Sequence, residues 1–157
     1  MDIKLEIENK VFNYRVAVII RNKDKILVQK DDRVSYFALL GGRCNLYETS
    51  IEAAIRETKE ETGFDTRYVK SVGVIENFFD SSFNGKKYHE ILIVHELEFS
   101  IDKYYDFDMI DNIEDSKKEH LKYMWMNIKD LKKCDFRPKV LLDILDCDSF
   151  QHIINRD

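Results

Sequence analysis

Three carboxylates, Glu57, Glu60 and Glu61, fall within one five-residue stretch. A helix turns about 100° per residue, so with Glu57 at zero Glu61 stands near +40° and Glu60 near −60°, on one face. Ile51, Ile55 and Thr58 fall roughly 100° to 160° away, with Ala54 between the two sets, and are expected to form the core face while the acids point away from it. Like charges at this spacing destabilise a helix by about 0.2 to 0.5 kcal/mol per pair, so the acidic face calls for a cation. Arg56, four residues before Glu60, supplies part of it. Carboxylate oxygens are hard ligands suited to Mg²⁺ or Mn²⁺, and no His or Cys cluster competes for a softer ion, so magnesium is the default. Upstream, Gly41-Gly42 permits unusual dihedrals and a close approach of a ligand to the backbone.

Read together, Gly42, five residues, Glu48, seven residues and Arg56-Glu57-Thr58-Lys59-Glu60-Glu61-Thr62-Gly63-Phe64 resemble the Nudix box of the nucleoside-diphosphate-linked-moiety hydrolases, the MutT-like proteins. All seven polar or glycine positions agree and Phe64 fills the last apolar place, whereas Thr58 departs from the usual aliphatic residue. The resemblance covers 23 residues, Gly42 to Phe64. It implies an α+β fold, a Nudix-type α/β/α sandwich with a mixed sheet and a catalytic loop-helix. It also implies hydrolysis of a phosphoanhydride bond in a nucleoside diphosphate linked to another group, with divalent metal required. By position in the box, the resemblance implies Glu57 and Glu61 as direct metal ligands and Glu60 as a third or a water-mediated one. Arg56 would orient them, Glu48 would support the loop-helix turn, and the backbone carbonyl of Gly41 or Gly42 would add a ligand. In similar enzymes a carboxylate from a loop beyond the box completes the site or serves as general base; Glu119 is the candidate, with Glu114 and Asp115 as alternatives. Charge runs the same way, since ions between a diphosphate and an acidic helix neutralise both, polarise phosphoryl oxygens and lower the pKa of an attacking water.

For the substrate side, Arg43 follows the glycine turn and carries a planar fork suited to phosphate, with an idle loop arginine as the competing reading. Glu76 and Phe78 are candidates for reading and stacking a base, against core packing for one of each adjacent strand pair. Tyr104, Tyr105 and Phe107 form either a lid or a partly buried loop. The box specifies how phosphate is handled and leaves the attached moiety open: a nucleoside triphosphate, ADP-ribose, a nucleotide sugar or a dinucleoside polyphosphate. The reading from a different class is a Nudix-like module that binds or senses a nucleotide or ADP-ribose without cleaving it, which the intact acids disfavour.

The elements that must hold these residues come from one domain, residues 1–157, with 44% hydrophobic and 35% charged residues. A net charge of −5 argues against an extended nucleic-acid surface and leaves a small nucleotide as the expected partner. Cys44, Cys134 and Cys147 are odd in number and lack a Cys-x-x-Cys pair, so they read as reduced thiols. The runs Val16 to Ile20 and Ile91 to Val94 fall far short of the roughly 20 residues of a membrane span. The N-terminus has no secretory pattern, which points to the cytoplasm; pairing as a homodimer stays open. The patterning predicts a hairpin over Tyr14–Arg21 and Lys25–Gln29, a strand over Tyr36–Leu40 and a helix from Thr49 or Ser50, capped by Ser50, to Gly63. It further predicts strands over Tyr68–Phe79, Lys87–Phe99 and Leu121–Met126, a long loop over Asp102–Lys118, and helices over Asn127–Cys134 and Arg137–Leu145.

Overall fold

The apolar run Val16 to Ile20 needs cover on both faces, and the chain is arranged around it. In the computed structural model, which describes residues 1–157 apart from the side chain of Ser116, this run is the middle of strand β2 (Lys10–Asn22), preceded by the short antiparallel β1 (Lys4–Ile7). Along β2 the side chains alternate: Val16, Val18 and Ile20 join one apolar cluster, Ala17 and Ile19 the other. The first cluster is covered by helix α1 (Ser50–Thr62), the second by α2 (Ile128–Leu131), α3 (Leu141–Ile144) and Phe136. A mixed sheet between helical layers is the expected sandwich.

β3 (Lys25–Asp31), β4 (Phe37–Ala38) and β5 (Leu40–Arg43) precede α1; β6 (Thr66–Asp80) and β7 (Lys87–Phe99) follow it as a long antiparallel pair. β7 runs parallel to β2, and the C-terminal β10 (Gln151–Arg156) adds a parallel strand to β6. The expected hairpin forms only at its turn, through Arg21 opposite Ile26 and Asn22 opposite Lys25. Beyond it β3 leaves β2 to pair with β9 (Leu121–Asn127), while β5 takes its place beside Arg15 to Val18. Both apolar faces of β2 and of β3 find cover only if the strands part company. The divergence opens a seam between them.

Two expectations are corrected and one open choice is decided. Asp102–Lys118 is not a featureless loop: it holds two short 3-10 turns and β8 (Met109–Asp111), which extends the sheet beside β9. The C-terminal helices are single turns, Ile128–Leu131 and Leu141–Ile144, because the four apolar residues Leu131, Leu141, Leu142 and Ile144 complete the core without longer helices. Tyr104, Tyr105 and Phe107 are no lid. They pack with Phe64, Phe99 and Trp125 behind α1, Phe64 stacking on Tyr104 at 4.5 Å. Among the described residues no helix is long and apolar enough to cross a membrane.

Thr49, rather than Ser50, caps α1. Its Oγ1 accepts from the Glu52 N–H at 3.2 Å while the Glu52 carboxylate accepts from the Thr49 N–H at 2.8 Å, a reciprocal capping box. The Ser50 hydroxyl instead meets His95 Nε2 at 2.9 Å, tying the helix start to β7. Gly63 ends the helix with φ +79°, and its N–H donates to the Lys59 carbonyl. Thr49→Ala is expected to lower the melting temperature by about 2 to 4 °C, read by thermal unfolding; no shift would show that the box does not secure the helix.

Candidate active site

The buried surface of α1 is two adjacent i, i+4 rows: Ala53, Glu57 and Glu61, and beside them Ala54, Thr58 and Thr62. This corrects the helical-wheel expectation. Ile51 and Ile55 are only half-buried, whereas Glu57 is 9% and Glu61 3% exposed. The acids lie on the docked face because the partner there is the glycine turn of β5. A Cβ at Gly42 would stand 2.2 to 2.4 Å from the Glu57 carboxylate, so the carboxylate rests in space that only glycine leaves free. Thr58 substitutes for an aliphatic residue without leaving its hydroxyl unpaired, since Oγ1 donates to the Ala54 carbonyl at 2.9 Å.

Arg56 holds this face together. It donates from Nε and Nη2 to the two Glu48 oxygens at 2.6 and 3.0 Å, and from Nη1 to Glu57 at 2.8 Å and Glu60 at 3.0 Å. Nη2 also donates to the Arg43 carbonyl at 2.9 Å, anchoring the loop that leaves the glycines. Arg56 holds the Glu48 carboxyl below the ordinary carboxylate range, and Glu48 in turn accepts from the Asn45 N–H at 2.7 Å. Burial raises Glu57 despite Arg56. Burial, with Glu57 beside it, pushes Glu61 up to about 8, and its Oε2 is buried without a partner. Opposite, Lys118 pairs with Glu114; burial opposes its charge, but Glu114, Glu61 and Glu57 raise it overall.

Two recesses meet here. One, of about 470 Å³, is lined by Gly42, Arg56, Glu57, Glu60, Glu61 and Glu114 with Lys118. The other is a cleft of about 670 Å³ walled by Tyr36, Asn77, Phe79, Glu90 and Phe136. Arg15, Gln29 and Gly41 line both, so the two form one continuous depression across the seam.

The structure thus brings together Gly42, Arg43, Arg56, Glu57, Glu60 and Glu61, with Glu48 behind Arg56. Glu119 does not join them: it is exposed, and Glu114, the alternative, is the loop carboxylate in the recess, delivered by the Ile113 N–H on the Glu61 carbonyl at 3.1 Å. Asp115 accepts from the Lys117 N–H in its own turn. Glu76 and Phe78 are also corrected. Strand alternation turns them away from the cleft, Glu76 onto His152 at 2.8 Å and Phe78 between His89 and Arg156, while Asn77 and Phe79 line it. Arg43 lines the recess but commits its Nε to Asn13 at 3.0 Å. The sequence reading missed Arg15 and Lys118, and on the strand pair it took Glu76 and Phe78 in place of Asn77 and Glu90; the usable signal for the strand residues was a polar side chain on a phase otherwise apolar.

A family model of the NUDIX domain matches residues 11–144. The chain belongs to the NUDIX family. This NUDIX chain is similar in fold to the mutator MutT protein of Bacillus halodurans, at 16% identity and a TM-score of 0.63, covering 89% of this chain and 86% of that one. It is also similar to a NUDIX hydrolase of Nitrosomonas europaea, at 16% identity and a TM-score of 0.62 over 92% and 79%. An ADP-ribose pyrophosphatase of Streptococcus suis matches at 15% identity and a TM-score of 0.53 over 91% and 98%. No curated protein matches it significantly by sequence.

Gly42→Ala is expected to leave the fold nearly as stable, since the group displaced is the end of a flexible side chain, but to weaken Mn²⁺ binding at least tenfold; titration followed by electron paramagnetic resonance reads it, and unchanged affinity would remove Glu57 from the ion's surroundings. Because the folded Glu61 is raised from 4.5 to about 8, it favours folding below its unfolded pKa, and that contribution is lost as pH climbs toward 8. In chelator, Glu61→Gln is therefore expected to melt above the wild type at pH 8, with the gap closing near pH 4; a lower melting point at pH 8 would contradict the burial argument.

Proposed function

We propose that this enzyme hydrolyses a phosphoanhydride bond in a small nucleotide whose nucleoside and diphosphate lie across the two joined recesses, using Mg²⁺ or Mn²⁺. The observation that carries the reading is the shared rim. An acidic recess that neutralises phosphate through cations opens directly onto an aromatic-walled cleft of about 670 Å³, within the size range of small-ligand sites. The donor set fits a hard divalent ion: carboxylates of Glu57 and Glu61, with Glu60 and Glu114 within the same recess and one Glu61 oxygen still unpartnered. No cluster of three or more ligands stands ready-made among the described residues; Arg56 pairs with Glu57 and Glu60, and Lys118 with Glu114. When bound there, the ion would supply charge neutralisation and an activated water.

The chain's own residues do the rest. Arg56, clamped by Glu48, keeps Glu57 and Glu60 oriented toward the recess. Lys118 and Arg15 place positive charge where an anionic substrate enters. Glu114 is the loop carboxylate positioned to accept a proton from an attacking water. In the cleft, Tyr36, braced by Arg137 at 4.4 Å, and Phe79 offer flat faces to a base. The fold relatives include a protein described as an ADP-ribose pyrophosphatase and one described as a UDP-X diphosphatase, which supports a nucleoside diphosphate compound as the substrate class here.

The reading is tested with nucleoside triphosphates, ADP-ribose, nucleotide sugars and dinucleoside polyphosphates, following phosphate-containing products by chromatography. Turnover of at least one compound is expected with Mg²⁺ and none in chelator, and Glu61→Gln is expected to be slower by roughly a hundredfold or more. Equal turnover by both proteins would sink the site, and binding without cleavage across the panel would make the domain a nucleotide sensor.

A further inference from the structure

We infer that Arg15 grips the phosphate nearest the nucleoside as substrate crosses between the recesses, and that Glu90 positions it from a polar row built across four strands. The inference rests on the substrate class proposed above and adds to it a residue outside the Nudix box. On the face of the sheet that floors the cleft, Asn13 of β2 stands opposite Glu90 of β7, Glu90 opposite Asn77 of β6, and Asn77 opposite Asn155 of β10. Asn13 and Asn77 donate to the two Glu90 oxygens at 3.4 and 3.3 Å, and Asn155 donates to Asn77 at 2.8 Å. At the other end Arg43 Nε donates to Asn13. Asn13 is 0%, Asn77 4% and Glu90 5% exposed, so this is a carboxylate buried among amides beside the apolar cluster that fills the same face.

The countercharge of Glu90 is Arg15, two residues along β2 from Asn13 and therefore on the same face, with Nη1 3.6 Å from Glu90 Oε2. Arg15 differs from the other arginines of the site. Arg56 spends its fork on Glu48, Glu57, Glu60 and the Arg43 carbonyl, and Arg43 spends its Nε on Asn13. Among the described residues no side-chain N–H of Arg15 makes a hydrogen bond, and its Nε is buried without a partner. A guanidinium held by this ion pair with its Nε unspent, at the one cationic side chain among the described residues that lines both recesses, forms a ready anion site. A buried unpaired donor is costly, and a phosphoryl oxygen would satisfy it. The amides hold the Glu90 carboxylate and limit its competition for those donors, while its charge keeps the guanidinium at the seam.

Calorimetric titration with the four α,β-methylene nucleoside diphosphates, which resist hydrolysis at that bridge, and with the four nucleosides tests this. Arg15→Met is expected to weaken the best-bound diphosphate about tenfold to a hundredfold and to leave its nucleoside unchanged, with Arg15→Lys in between. Glu90→Gln is expected to weaken the diphosphate severalfold, and to add nothing once Arg15 is Met, the signature of acting through it. Should Arg15→Met unfold because Glu90 is left without countercharge, the Arg15→Met/Glu90→Gln double variant removes both charges and is compared instead. Unchanged diphosphate affinity in whichever of these variants folds would overturn the role of Arg15 while leaving the substrate class intact. Failure of the wild type to bind any of the four diphosphates would overturn the substrate class and this inference with it.

Discussion

Two glutamates buried on the docked face of one helix are the constraint from which the rest of this structure follows. Glu57 and Glu61 lie four residues apart against the glycine turn, and burial raises the pKa of both, with Glu57 adding to the rise at Glu61 and Glu60 and Glu114 to that at Glu57. Buried like charges persist only where cations compensate them, and the chain brings Arg56 from the same helix and Lys118 from a distant loop. The bidentate Glu48 contact fixes the plane of Arg56, so one loop glutamate sets the orientation of two helical ones. These cations compensate the buried acids only in part, since Oε2 of Glu61 has no partner among the described residues.

The sheet turns that local arrangement into a site. Because β3 leaves β2 after its turn, β2 is bordered first by β1, then by β5, then briefly by β3, and the parting strands leave a seam lined by Arg15, Gln29 and Gly41. On one side of the seam lie the acids and on the other the aromatic cleft. The aromatic cluster of Phe64, Tyr104, Phe107 and Trp125 packs against the same apolar cluster that Ala53 and Ala54 of the helix join. The Ser50–His95 contact and the Gly63 cap pin the two ends of the same helix.

The parts of the site readable in the sequence were those within one element or one turn of it. Glu57, Glu60, Glu61, Arg56, Glu48 and Gly42 sit in 23 residues whose spacing is imposed by helix pitch and a single tight turn. The wheel nevertheless assigned the acids to solvent, because it sees polarity and not the missing Cβ of Gly42 that makes room for Glu57. Ser50 was the expected cap by composition; the structure gives that role to Thr49 and engages Ser50 with His95, forty-five residues on. Glu119 was preferred to Glu114 and Asp115 by its place before a strand, whereas the contact of Ile113 with Glu61 brings Glu114 to the recess.

By itself, then, the order of residues determined the acidic helix, its glycine turn, the family and the alternation of the long strands, since these depend on near neighbours and on the periods 3.6 and 2. Tertiary structure alone decided which phase of β6 faces the cleft, placing Asn77 and Phe79 there and turning Glu76 and Phe78 away. It alone aligned Asn13, Glu90, Asn77 and Asn155 across four strands and brought Arg15 to the seam. Those contacts join residues separated by up to seventy-eight positions, and their register is set by which faces of the whole sheet must be buried, a condition no short stretch of chain contains.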